Sequence, residues 1–280
     1  MRLAYSDTQT SPVVVLLHGF PLSREMWAEQ LGTLGATYRV IAPDLRGHGA
    51  SPAPEGAYTM DAMADDVIEL LDRLGAGGPV VLGGLSMGGY VALSLVLRHP
   101  ERVAALMLMD TRAAADTPEA AKGRQETAQQ VLRDGNGRTI FETMVPRLFC
   151  KTTREKHPDR VEAMLAVMER NSAQGIAGAL KGMAIRPDRR GDLARIKVPT
   201  LVMVGEDDII SPPDEARSLA AAIPNARLEV IPAAGHMAPF ENPDAANQAI
   251  LRFLASLDLS ARVGRTEFIP FAGGRGGGTE

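Results

Sequence analysis

Short runs of aliphatic and β-branched residues alternate along most of this chain with longer stretches whose apolar positions recur every three or four residues. That alternation predicts an α/β protein: a mostly parallel sheet with helices on both faces. Strands are expected at residues 13–17, 38–42, 80–82, 104–109, 200–204 and 228–231. Between the second and third of these, Met60, Met63, Val67, Leu70, Leu71 and Leu74 fall on one helical face, and Thr59 stands where an N-cap belongs. A second, uniformly apolar helix is expected over residues 90–97.

From residue 113 to residue 197 the alternation stops, and the segment is rich in Ala, Gln, Arg, Met and Glu without a convincing strand. Gly135-Asn136-Gly137, His157-Pro158 and Arg186-Pro187 break it into several short helices. Strand signals resume after Pro199, so the segment is an insertion between two strands of one sheet. It would sit over the carboxyl ends of the strands, where open α/β sheets bind ligands, and is expected to act as a cap. The organisation read from the chain is a core of residues 1–112 and 198–261, a helical cap of 113–197, and a tail of 262–280. The tail ends in a glycine run that has much entropy to lose and few side chains to bury, and disorder is expected there.

Composition narrows the function. Of 280 residues, 45% are hydrophobic and 23% charged, as in ordinary soluble proteins, and no apolar run is long enough to span a membrane. A net charge of −4 supplies no basic field for nucleic acid, so a small-molecule ligand is the expected partner. The lone cysteine, Cys150, rules out an intramolecular disulfide framework; residues 1–12 are polar and the apolar run after them is too short for a signal peptide. A cytoplasmic location is expected.

The chemistry starts at Gly84-Leu85-Ser86-Met87-Gly88, between a strand and a helix. A serine on so sharp a turn has a strained backbone and an exposed hydroxyl, and small residues two positions to either side let strand and helix pass closely. The same helix start aims the Met87 N–H at an oxyanion formed beside Ser86. Neither phosphate-loop pattern fits, since no lysine follows the glycines and the G-x-G-x-x-G spacing is absent. A serine hydroxyl needs a base, and the base an orienting acid. Glu206, Asp207 and Asp208 lie just past the strand at 200–204, and His236 lies just past the strand at 228–231. Parallel strands present these ends on the same sheet edge as Ser86.

Together with His18-Gly19-Phe20-Pro21, Pro43-Asp44-Leu45-Arg46-Gly47-His48-Gly49 and Gly205-Glu206-Asp207-Asp208 with Pro212, these motifs resemble α/β-hydrolases of the esterase, enol-lactonase and cofactor-free haloperoxidase group, over residues 3–257. The runs around Ser86, Asp110-Thr111-Arg112 and residues 182–188 resemble bacterial short-chain carboxylesterases most closely. The resemblance implies Ser86 as nucleophile, His236 as base, Asp208 as the acid, and the N–H groups of Phe20 and Met87 as the oxyanion hole. It implies hydrolysis of small carboxylic esters through an acyl-enzyme, with no cofactor and no metal. Enol-lactone hydrolysis, perhydrolysis and slow-turnover ligand reception share this triad and stay open.

The resemblance also places Leu22 and Met237 at the substrate. Arg112 either pairs with the cap or anchors a substrate carboxylate. Of the other polar residues, His18 is expected to brace the oxyanion loop, His48 and Asp44 to be structural loop residues, His99 to end a helix, Asp207 to be solvated and Cys150 to be a core residue. The methionines of the insertion, Met144, Met164, Met168 and Met183, are expected in helix packing. Relatives often carry one more strand before the segment matching Leu3 to Ser6, so the sheet is expected to lack that edge strand.

Overall fold

The computed structural model describes residues 1–258. The glycine-rich stretch 262–280 and its expected disorder lie outside the described residues. The strands are β1 (Tyr5–Asp7), β2 (Val13–Leu17), β3 (Arg39–Pro43), β4 (Val80–Leu85), β5 (Val103–Met109), β6 (Thr200–Gly205) and β7 (Ala226–Ile231). They form a seven-stranded sheet among the described residues, in the order β1-β3-β2-β4-β5-β6-β7. β1 pairs antiparallel with β3, and every other pairing is parallel. β4 and β5 are buried along their whole length, and they read as unbroken apolar runs because helices cover both faces.

Helices α1 (Ala28–Leu34), α2 (Met60–Arg73) and α3 (Met87–Arg98) belong to the first half of the sheet. Thr59 caps α2, its hydroxyl accepting from the Ala62 N–H, as the sequence predicts. The insertion between β5 and β6 holds α4 (Pro118–Asp134), α5 (Arg138–Leu148), α6 (Lys151–Lys156), α7 (Pro158–Glu169) and α8 (Ala173–Ala184), with no strand among its described residues. The sequence punctuation falls at the breaks: Gly135 closes α4 in the left-handed region at φ +72°, and His157 separates α6 from α7. Buried Arg186, just past α8, ties the two ends of the insertion together. It pairs with Asp116 at 2.8 Å, donates to the Ala114 carbonyl and lies over the Tyr90 ring of α3. Helices α9 (Pro213–Ala222), α10 (Ala238–Glu241) and α11 (Pro243–Ala255) complete the core. No helix among the described residues is long and apolar enough to cross a membrane.

Several boundaries differ from the sequence reading for physical reasons. β4 continues through Gly83 and Gly84, which read as a turn but are strand residues: a Cβ on Gly83 would meet the Met107 side chain at 2.9 Å. α3 starts at Met87, three residues before the expected start at residue 90, because Gly88 and Gly89 are helical and sit where no side chain fits. β1 has three residues and no buried run, so the period-two pattern could not announce it.

Candidate active site

Ser86 joins β4 to α3 with φ +51°, a left-handed backbone rare for a residue with a Cβ. Its neighbours hold that strain. The Ser86 N–H donates to the Met109 carbonyl at 2.9 Å, and its carbonyl accepts from the Thr111 hydroxyl at 2.7 Å. The glycines are steric requirements: a Cβ on Gly84 would stand 2.2 Å from the Gly88 carbonyl oxygen, and one on Gly88 would stand 2.3 Å from that of Leu17.

The three residues singled out by the sequence meet here. His236 Nε2 lies 2.8 Å from Ser86 Oγ, and His236 Nδ1 lies 2.8 Å from Asp208 Oδ2. Asp208 is buried, and its other oxygen accepts from the N–H groups of Ile210 at 2.7 Å and Ser211 at 2.9 Å. Those bonds fix which oxygen faces the imidazole. Of the adjacent acids, Asp207 is exposed and Glu206 reaches back towards the Ala233 N–H.

Phe20 lies on the loop after β2, whose Gly19 packs against Leu85 and Ser86, and Met87 is the first residue of α3. Among the described residues neither main-chain N–H is spent on a hydrogen bond. Behind the Phe20 loop, His18 Nε2 accepts from the Leu45 N–H at 2.9 Å, so the ring proton is on Nδ1, which donates to the Gly19 carbonyl. Burial pushes His18 down to about 4. His48 packs edge-on against His18 and Phe20, and burial, reinforced by His18, pushes it down to about 3. Both rings are neutral supports of the loop at neutral pH. Asp44 is a structural residue, accepting from the N–H groups of Arg24 and Ala50 and pairing with the Arg24 guanidinium.

The residues expected at the substrate fare differently. Arg112 does not pair with the insertion: its guanidinium donates to the Ile210 carbonyl and lies 3.2 Å from Glu215 of α9, so it braces the Asp208 loop from within the core. Leu22 and Met237 have no exposed surface, so they underlie the site and present no face to solvent. His99 ends α3 beside Asp65, and Cys150 is buried.

The sequence reading gave no role to three supporting residues. Asn171, between α7 and α8, donates to the Pro21 carbonyl at 2.7 Å and accepts from the Gly49 N–H at 2.8 Å, stitching the insertion to the Phe20 loop. Asp110, fully buried at the end of β5, accepts from the N–H groups of Gly205 and Ala238. Burial first, and then the Asp208 charge, raises its carboxyl well above the usual range. Its place past a strand on the catalytic edge was the available signal. Glu241 of α10 accepts from the main chain on both sides of His236, and no motif marks it.

A mostly parallel sheet covered by helices, with a strained serine at a strand-to-helix turn, defines the class. Residues 12–243 match the family of the α/β hydrolase fold, and the chain belongs to that family. An esterase from Thermogutta terrifontis, solved with malate bound, is 47% identical with a TM-score of 0.89, covering 90% of this chain and 93% of that one. An enol-lactonase from Burkholderia xenovorans is 31% identical with a TM-score of 0.83, covering 90% and 96% of the respective chains. The 3-oxoadipate enol-lactonase 2 of Acinetobacter baylyi is 31% identical over 239 residues, 85% of this chain and 87% of that protein.

Proposed function

We propose that this protein is a carboxylesterase that cleaves small, short-chain esters through an acyl-enzyme on Ser86. The observation that carries the reading is the continuous hydrogen-bonded line from Ser86 Oγ through His236 to Asp208, at 2.8 Å and 2.8 Å. His236 Nε2 takes the hydroxyl proton as Ser86 attacks the ester carbonyl, while Asp208 fixes the Nδ1–H tautomer and stabilises the imidazolium. The tetrahedral oxyanion is held by the Phe20 and Met87 N–H groups, each worth about 3 kcal/mol in the transition state. His236 then protonates the departing alkoxide. Water, deprotonated by the same nitrogen, releases the acid and restores Ser86.

Residues 113–197 act as the cap in this reading, covering the catalytic edge while their backbone and Asn171 grip the Phe20 and His236 loops. Similarity to an esterase at 47% identity supports the ester assignment. The enol-lactonases among the relatives favour a second substrate class, a strained cyclic ester attacked by the same serine. The test is a series of p-nitrophenyl esters of increasing acyl length run beside 3-oxoadipate enol-lactone, with Ser86→Ala as control. The reading predicts the highest kcat/KM on acetate or butyrate and loss of all turnover in the variant. A lactone kcat/KM far above every ester would replace it with the lactonase reading.

A further inference from the structure

Glu241 is a buried carboxylate that satisfies main-chain donors from two separate parts of the fold. Its Oε1 accepts from the N–H groups of Gly235 at 2.7 Å and Met237 at 3.2 Å, the residues on either side of His236. Its Oε2 accepts at 2.8 Å from the N–H of Cys150, the residue that opens α6 in the insertion. No lysine or arginine pairs with it among the described residues, and its hydrogen-bond donors there are these three main-chain N–H groups. The junction is closed by a fourth bond, from the His236 N–H to the carbonyl of Leu148, the last residue of α5, at 2.9 Å. The main chain around His236 is therefore bonded to the α5–α6 junction directly and through one carboxylate.

We propose that Glu241 is a positioning residue that sets the His236 imidazole and makes its alignment depend on the seating of the α5–α6 junction. The proposal rests on the esterase reading for its kinetic readout. A displaced insertion pulls on Cys150 and Leu148, and both links end on the main chain of residues 235–237. Nε2 of His236 must stay within hydrogen-bond reach of Ser86 Oγ, and misplacements of about an ångström cost on the order of 100-fold in rate. A purely structural carboxylate would lower stability on removal and leave the folded enzyme's turnover unchanged.

Two substitutions separate these roles. Glu241→Gln keeps one acceptor oxygen but confronts at least one of the three N–H groups with an amide donor. Cys150→Pro deletes the insertion's N–H at a residue whose φ of −63° proline adopts, after Phe149 at φ −108° and ψ 137°, which suits a residue preceding proline. Cys150→Ala, which keeps the N–H but like proline lacks the thiol that caps α6 and reaches the Ala233 carbonyl, is the reference for it. With enzyme concentration set by active-site titration, both Glu241→Gln and Cys150→Pro are expected to lower kcat roughly 10- to 100-fold while KM stays within about threefold. The downfield proton resonance of the His236 Nδ1–H bond to Asp208 should shift or broaden in both. Wild-type kcat and an unmoved resonance in the folded variants, even with a lowered Tm, would overturn the proposal. Should Ser86→Ala retain turnover, the esterase reading fails alone, and the resonance still reports whether Glu241 positions His236.

Discussion

Glu206, Asp207 and Asp208 are consecutive carboxylates, and small differences in backbone direction give them unlike surroundings. Asp208 is buried with two N–H groups on one oxygen and His236 on the other, while Asp207 faces solvent. Asp208→Asn should therefore lower kcat by roughly 10³- to 10⁴-fold, because an amide no longer holds the required imidazole tautomer. Asp207→Asn should stay within about twofold of wild type. Equal losses in the two variants, measured on p-nitrophenyl butyrate, would count against the assignment. The glycines beside the serine act by their lack of a side chain. Gly88→Ala places a methyl against the Leu17 carbonyl, where backbone must move, and should destabilise the fold by about 1–3 kcal/mol in urea unfolding.

Elements were legible where their pattern is local. The buried runs of β2, β4, β5 and β6, the amphipathic face of α2 and the breaks between the helices of the insertion are all written in nearby residues. β7 begins two residues before the expected start at 228, because its first positions are half-exposed on a sheet edge and carry Arg227 in place of an apolar residue. Ser86, Asp208 and His236 were legible because strand ends announce themselves. What holds them was not: Asn171 reaches Pro21 across 150 residues of sequence, and Glu241 reaches Cys150 across 91, with main-chain groups as the targets. Main-chain donors and acceptors leave no residue-type signature. The cap pairing expected of Arg112 failed for a related reason, since its partner Glu215 belongs to α9, which no motif connects to it. Asn171→Ala removes both bonds of the stitch and leaves the Pro21 carbonyl and Gly49 N–H unpaired, a loss of about 1–3 kcal/mol in unfolding free energy. Asn171→Asp keeps the acceptor for the Gly49 N–H but loses the donor to Pro21, so an equal fractional loss of kcat in the two variants would tie activity to the Pro21 bond at the Phe20 loop.

At the scale of the whole molecule, the two buried histidines make stability depend on pH. Folding lowers His18 from 6.5 to about 4 and His48 from 6.5 to about 3, so the unfolded chain binds more protons once the pH falls below 6.5. The stability they contribute is complete above that value and is lost on acidification, at up to about 1.4 kcal/mol per pH unit for each ring. Asp110 works in the opposite sense, since a raised carboxyl favours the fold at low pH and ceases to do so as pH rises through its value. His48→Asn isolates one ring. Between pH 5.5 and about pH 4 the wild type should lose roughly 1.4 kcal/mol per unit more than the variant in urea titrations, and parallel pH profiles would contradict the buried neutral state.

The fold, the insertion and these supports converge on one claim, that Ser86 carries the acyl group. The most direct measurement is intact and peptide mass analysis of enzyme quenched during turnover of p-nitrophenyl butyrate. A single added butyryl group on the peptide containing Ser86, absent from Ser86→Ala, is the predicted result. Turnover with no adduct in the Ser86→Ala variant, or an adduct on another residue, would contradict it.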